Sequence, residues 1–301
     1  MKWEKLGLLY EVNGGHPLLL SHASNPLAVH ISGDEFRVYF SGRDIHNKSS
    51  VGWVDIDIIS KKVLEIGSEP LISYGPGDSF YPHGISIGNL YKGPNHRQYI
   101  LFMAWQIRGG NHWRGDIGRL ELKDKDAIYL SPNAPFMSTD QEDKISLSYP
   151  HVEFHEGLYK MWYGSTIDWS SDNGEMIHVI KYATSKDAEN WEKHGVVIPY
   201  ELGTAQAFSR PTVLIDIDGY HMWYSYRDGS GTKYRIGYST SDDGVFWKNH
   251  LDNVGLNVSK YGWDSEMICY PFVFNHKGER YMLYNGNDFG RKGFGLAKLM
   301  R

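Results

Sequence analysis

The chain has 301 residues, with 14% aromatic residues, 33 glycines, a single cysteine (Cys269) and a formal net charge of −5. This acidic balance and the lack of a basic run argue against nucleic acid or an anionic membrane as the main partner, and no apolar run approaches a membrane span. One thiol excludes an intrachain disulfide and favours a cytoplasmic home; Met1-Lys-Trp-Glu-Lys enters a strand pattern at once, which leaves no room for a secretory signal.

Residues 2 to 9, Lys-Trp-Glu-Lys-Leu-Gly-Leu-Leu, read as a strand with nothing before it to close. The first repeat unit follows: Asn25-Pro26-Leu-Ala-Val, a glycine turn, the aromatic strand Phe36-Arg-Val-Tyr-Phe-Ser, then Val51-Gly-Trp-Val-Asp. The second unit opens at Tyr81-Pro82-His-Gly-Ile and takes a longer connection to Gln98-Tyr-Ile-Leu-Phe-Met-Ala-Trp and Ile117-Gly-Arg-Leu-Glu. The third runs from Tyr149-Pro150-His-Val-Glu through Leu158-Tyr-Lys-Met-Trp-Tyr to the closing strand Asn190-Trp-Glu-Lys-His-Gly-Val-Val-Ile. The fourth begins Arg210-Pro211-Thr-Val-Leu, with Tyr220-His-Met-Trp-Tyr-Ser and Ile236-Gly-Tyr-Ser-Thr behind it. The fifth begins Tyr270-Pro271-Phe-Val-Phe and stops at Gly293-Phe-Gly-Leu-Ala-Lys-Leu-Met, a segment that in earlier units precedes the closing strand.

The prolines recur about every sixty residues, a period that signals a repeat architecture. Short strands at this spacing predict an all-β fold: one five-bladed β-propeller domain over residues 1–301, with four-stranded blades. The N-terminal segment matches the missing strand, so the N-terminal strand is expected to complete the last blade.

In such a ring the proline-headed strand is innermost and the aromatic strand returns beside it. The start of the first and the end of the second therefore share a face. That face gathers Asn25, Tyr81, His83, Tyr149, His151, Arg210 and Tyr270 from strand starts, and Arg43, Asp44, Arg227, Asp228 and Asp288 from returning ends; the entering loops add Asp78 and Glu266. Polar groups and rings around one axial mouth describe a ligand site. Carboxylates among them suit glycosidic chemistry, which needs one acid on the leaving oxygen and a second carboxylate to attack or to activate water.

With the five proline-headed repeats and the turns Ser185-Lys-Asp187-Ala-Glu-Asn-Trp191 and Ser241-Asp-Asp243-Gly-Val-Phe-Trp247, the chain resembles the five-bladed propellers of the arabinanase and xylosidase, invertase and levansucrase, and mannoside phosphorylase families. The resemblance to arabinanases would imply carboxylates directly before the first and third prolines and two residues before the fourth. Those places hold Asn25, Tyr149 and Ser209, so that arrangement does not carry over. The phosphorylase branch is similar in its Asn-Pro first blade and in a final Asp followed shortly by Gly-Leu-Ala, here Asp288 and Gly295-Leu296-Ala297; its Asp-Pro-Arg signature is replaced by Tyr81-Pro82-His83. It implies basic groups that hold phosphate, a task Arg43, Arg210, Arg227, His83 and His151 can perform.

The expected function is thus a carbohydrate-active enzyme cleaving or transferring a glycosyl group, with a non-catalytic glycan-binding propeller as the alternative. Glu266 is the first choice for acid or base because no equivalent position in the other units is acidic; Asp44, Asp228 and Asp288 are its possible partners. Asp44 and Asp228 equally suit structural ion pairs with Arg43 and Arg227, and Asp78 suits a turn. Asn25, Arg43, Asp78, His83, His151, Arg210, Arg227 and Tyr270 are expected to contact a sugar, oligosaccharide or activated sugar. No cofactor is expected, although the arabinanase resemblance allows one cation on the axis. His151-Val-Glu-Phe-His155 lies on a strand and lacks the helical zinc order.

Overall fold

The computed structural model describes residues 1–300 apart from 108, 110, 111 and 230. Its strands are β1 (Trp3–Glu11), β2 (Ser21–Ser32), β3 (Glu35–Arg43), β4 (Ser49–Asp57), β5 (Lys62–Ile66), β6 (Gly84–Lys92), β7 (Gln98–Ile107), β8 (Trp113–Asp124), β9 (Ala127–Leu130), β10 (Ser146–His155), β11 (Leu158–Asp168), β12 (Ile177–Ser185) and β13 (Glu192–Val196). They continue with β14 (Ser209–Asp216), β15 (Gly219–Tyr226), β16 (Arg235–Ser241), β17 (Lys248–Asn249), β18 (Cys269–His276), β19 (Glu279–Asn285) and β20 (Gly293–Leu299).

Strands β10 to β13 and β14 to β17 form two antiparallel four-stranded sheets in chain order. The units β2 to β5 and β6 to β9 are joined by one parallel pair, Ser49 with Gly84. The last sheet has three strands of its own and takes β1 as its fourth, with Trp3 opposite Leu299 and Glu11 opposite Gly293. The expected closure by the N-terminal strand is thus present. First strands touch in turn, β2 to β6, β6 to β10, β10 to β14, β14 to β18 and β18 back to β2, which closes a ring.

Aromatic residues of the middle strands fill the spaces between sheets. Trp162 of β11 and Trp223 of β15 are fully buried, and Trp162 donates through Nε1 to the Gly244 carbonyl at 2.8 Å. Trp247 donates to the same oxygen at 2.9 Å, while Asp243 Oδ1 accepts the N–H groups of Val245 and Phe246. The Ser-x-Asp-x-x-x-Trp turn therefore fastens one sheet to the next, as its residue types suggest. Polar clamps support this joint and hold the others. Arg37 pairs with Asp55 of its own sheet and Asp126 beyond β8, Arg119 with Glu189, Lys160 with the Tyr220 hydroxyl, Arg280 with Asp216, and His276 with Asp34.

The prolines lie within four of the first strands rather than at their heads, and each breaks the ladder. Asn25, Tyr149, Arg210 and Tyr270, which precede them, have left-handed φ of 55°, 31°, 50° and 54°. Register shifts fall at the same places. Proline has no N–H to lose, so a bulge here sacrifices little pairing. Left-handed backbone at a residue with a Cβ costs about 1–3 kcal/mol and persists where the surroundings impose it. The bulges turn Tyr149, Arg210 and Tyr270 out of the sheet and toward the middle of the ring. The second unit differs: Tyr81 lies ahead of β6 with its ring against Phe80 and Phe102 in the core, and the positive φ falls on Gly84.

Candidate functional site

A cavity of ≈ 590 Å³ opens on the face where first strands start and second strands end. Its floor carries Tyr149 and Tyr270 from the bulges, with ring centroids 5.6 Å apart. Its walls come from the β7–β8 and β11–β12 hairpins, which supply Trp105, Trp113 and Trp169. His112 stacks on Trp169 at 4.7 Å with 6° between planes, and Trp113 meets the same indole edge-on at 4.9 Å. Such a lining suits a ring that is apolar on its faces and hydroxylated at its edge.

Among the described residues that line the cavity, Glu175 is the one carboxylate. It sits in the β11–β12 hairpin, 5% exposed, and its Oε1 accepts from Arg227 Nη2 at 2.8 Å and from the Met176 N–H at 2.9 Å. The loop is fixed from below, since Gln206 bonds Asn173 and Ser171, and Ser171 donates to the Glu175 carbonyl. Arg227 stacks over Tyr234 at 4.8 Å, and its buried Nε has no partner among the described residues. Arg43 donates to Asn47 Oδ1 at 3.3 Å on the other side of the mouth.

Imidazoles complete the polar edge. His178 is buried between the hydroxyls of Ser148 (2.6 Å) and Thr166 (2.8 Å); burial, helped by Arg227, pushes its pKa down to about 3 and leaves it neutral. His83 Nδ1 accepts from the Ile107 N–H at 3.3 Å, and burial with nearby Lys48 lowers its pKa. His46 and His112 also line the mouth. The site is a set of cations, imidazoles and rings around one ion-paired carboxylate.

The structure places the residues singled out in the sequence in three groups. Arg43, His83, Arg227 and Tyr270 line the cavity together. Asn25, Asp44, His151 and Arg210 are buried in the scaffold. Asp78, Asp228, Glu266 and Asp288 are exposed and lie outside this lining, Asp288 at the edge of a smaller cavity of ≈ 220 Å³. Asp44 accepts the N–H groups of His46 and Lys48 at 2.8 Å each and so closes the β3–β4 hairpin. Arg43 and Arg227 bond Asn47 and Glu175 rather than the aspartates beside them in sequence. His151 bonds Asn89 of the preceding sheet and Glu153 at 3.0 Å, tying two units together. Around Glu266, the backbone N–H goes to Asn287 Oδ1 and the carbonyl to Arg235.

Arg210 is fully buried and points across the middle of the ring. Its Nη1 donates to the carbonyls of Tyr270 (2.8 Å) and Pro271 (3.1 Å), and its Nη2 to those of Pro26 (2.7 Å) and Gly88 (3.4 Å). Burial pushes its pKa down to about 9, against the opposing pull of Tyr149, Tyr270 and Cys269. A guanidinium on the protein's own chain thus fills the place where carbonyl oxygens of three first strands converge. Among the described residues, one group of carboxylates and imidazole lies close enough to share a metal ion: Asp216, Asp218 and His221, at the far ends of β14 and β15. There Asp216 is paired with Arg280 at 2.7 Å.

Glu175, His178 and the three tryptophans were missed in the sequence because they lie in return hairpins rather than beside the prolines. The turn Asp172-Asn173-Gly174 immediately before Glu175 was the available signal, since it marks a hairpin tip on the face that Ser165 and Thr166 also reach.

No family model matches the chain. Among solved structures it is similar to a glycoside hydrolase (TM-score 0.74, 14% identity, 99% of this chain and 91% of that one) and to a putative glycoside hydrolase from Parabacteroides distasonis (0.72, 12%, 98% and 95%). A structure from a study of mannoside phosphorylases and glycoside hydrolases of the GH130 family aligns with TM-score 0.67 at 12% identity over 99% and 95%. At such identities the likeness defines the class by fold: an all-β protein of four-stranded sheets built as the propeller glycosidases are. The chain belongs to the family of the uncharacterized proteins MT1551 and Rv1502 of Mycobacterium tuberculosis strains CDC 1551 and H37Rv, each 40% identical over 302 residues, 99% of this chain and of each relative.

Proposed function

We propose that this protein is a cytoplasmic, five-bladed, single-domain carbohydrate-active enzyme that transfers a glycosyl group in the cavity from a sugar bearing an anionic leaving group such as phosphate. The observation that carries the reading is the charge distribution: one carboxylate, Glu175, held beside Arg227, with Arg43 and His83 on another arc of the same wall. Hydrolysis by two carboxylates needs a protonated acid on the leaving oxygen. Glu175 Oε1 accepts from a guanidinium and from a backbone N–H, an arrangement that suits a base rather than an acid. A phosphate leaving group needs no proton, and cations stabilise it as it departs. Glu175 then takes the proton of the acceptor hydroxyl while its oxygen forms the new bond at the anomeric carbon and the bond to phosphate breaks.

The test is a panel of sugar 1-phosphates, nucleotide sugars and aryl glycosides offered to the unmodified protein with and without a neutral sugar acceptor. Acceptor-dependent release of the phosphate-bearing group supports the reading; turnover of aryl glycosides alone sinks it. The paired state of Glu175 also favours a second reading, a propeller that binds an anionic glycan without chemistry. Binding of the same donors with no turnover on any acceptor would select it.

A further inference from the structure

Beside the main cavity lies the smaller one, lined by Thr232, Lys233, Met267 and Asp288 and sharing Arg227, Tyr234 and Phe289 with its neighbour. The dividing wall is the turn Asn287–Gly290, where Asp288 (φ 51°, ψ 45°) and Phe289 (φ 58°, ψ 33°) are both left-handed. Two such residues in succession cost about 1–3 kcal/mol each. Surrounding contacts impose them: Ser24 donates to the Phe289 carbonyl, Asn287 Oδ1 accepts the N–H groups of Glu266 and Met267, and the Phe289 ring stacks on Tyr270 at 6.2 Å. The turn presents one ring to both cavities. It also leaves the Asp288 carboxylate, like the Lys233 ammonium, with no partner among the described residues.

We propose that this smaller cavity is a second sugar subsite that takes the neutral acceptor ring, its adjacent hydroxyls bonded to Asp288 and Lys233 and its face laid on Phe289 and Tyr234. The assignment rests on the main cavity holding the donor. A carboxylate accepts two hydroxyl protons and an ammonium donates three, so the pair suits an uncharged polyol, whereas Asp288 disfavours phosphate there. Arg227 forms part of both linings, and its partner Glu175 lines the main cavity. Donor and acceptor then occupy neighbouring cavities that share Arg227, Tyr234 and Phe289.

The full chain is titrated with neutral methyl glycosides, with and without a saturating sugar 1-phosphate, and binding is followed by saturation-transfer NMR and calorimetry. A glycoside is expected to bind in the presence of the sugar phosphate. Asp288→Asn, whose exposed left-handed site accepts asparagine, is expected to weaken the glycoside about tenfold, the loss of one hydrogen bond to a charged group, and Arg43→Gln to weaken only the sugar phosphate. Mutual displacement of the two ligands, an unchanged glycoside affinity in Asp288→Asn, or no glycoside binding at all overturns the subsite. Glycoside binding that depends on Asp288, in a protein that takes no anionic sugar, keeps the subsite and overturns the donor assignment instead.

Discussion

Arg210 Nη2 donates to the Pro26 carbonyl at 2.7 Å, joining positions 184 residues apart across the middle of the ring. The same guanidinium holds carbonyls of β6 and β18, so three first strands are fastened to a fourth by one side chain. Removing it strands those oxygens away from water. Arg210→Met is expected to lower the unfolding free energy by about 3–5 kcal/mol, the scale of an undone buried ion pair, with Arg210→Lys intermediate because a point charge cannot serve four acceptors. Urea midpoints of the three proteins check this, and a methionine variant as stable as the parent contradicts it.

The closure by β1 makes a second prediction. Trp3 is 5% exposed and meets Trp223 edge-on, with centroids 6.2 Å apart. Trp3→Ala is expected to cost about 3–5 kcal/mol through the cavity it leaves, and to increase amide exchange in β20 before other strands. Uniform exchange across all sheets would show that β1 is not a separately opening element.

Acid should destabilise the fold well above the carboxylate range. His22 and His178 are both pushed down to about 3, by burial first and then by nearby arginines, whereas in the unfolded chain each titrates near 6.5. The unfolded state therefore binds protons that the native state refuses. The stability these two groups confer is complete above about pH 6.5 and falls steadily toward pH 3, by about 1–2 kcal/mol per imidazole at pH 5. Denaturant unfolding at pH 7 and pH 5 measures the drop, and His178→Gln should reduce its slope; a flat profile across this range refutes the neutral burial of both rings.

Two glutamates separate the site from the surface. Glu175→Gln is expected to lower glycosyl transfer by about 10²–10⁴-fold, the usual contribution of a positioned base. Glu266→Gln, at an exposed position outside the lining, should leave the rate within a factor of about two, a surface-scale effect. Initial rates on the best donor of the panel decide, and equal losses in the two variants would undo the placement of the base.

The repeat was legible because a proline-headed run, a turn and a near-continuous apolar strand recur about every sixty residues, and a short strand buried on both faces needs such a run. The matching of Lys2-Trp3-Glu4-Lys5 to Glu192-Lys193 and its neighbours likewise revealed the closing strand from residue types alone. What the sequence concealed was which way a residue faces. In four units the bulge before the proline recurs: it turns Tyr149 and Tyr270 into the cavity floor, yet sends Arg210 into carbonyl oxygens and Asn25 into the scaffold. A linear pattern does not distinguish these outcomes, since each depends on contacts from other units. Glu266 looked special by its acidity in an unmatched position, whereas burial and an arginine from the next unit distinguish Glu175.

The pairing of β1 with β20 also sets an order of events during synthesis. β1 leaves the ribosome before every other strand and β20 after all of them, so β1 must wait unpaired while each intervening sheet is made. Until then the sheet edge it will occupy does not exist, and its apolar residues Trp3, Leu9 and Tyr10 are open to mispairing with a neighbouring nascent chain. A chain rearranged so that β1 directly follows β20 would remove that wait, and its yield of folded protein should be less sensitive to expression temperature.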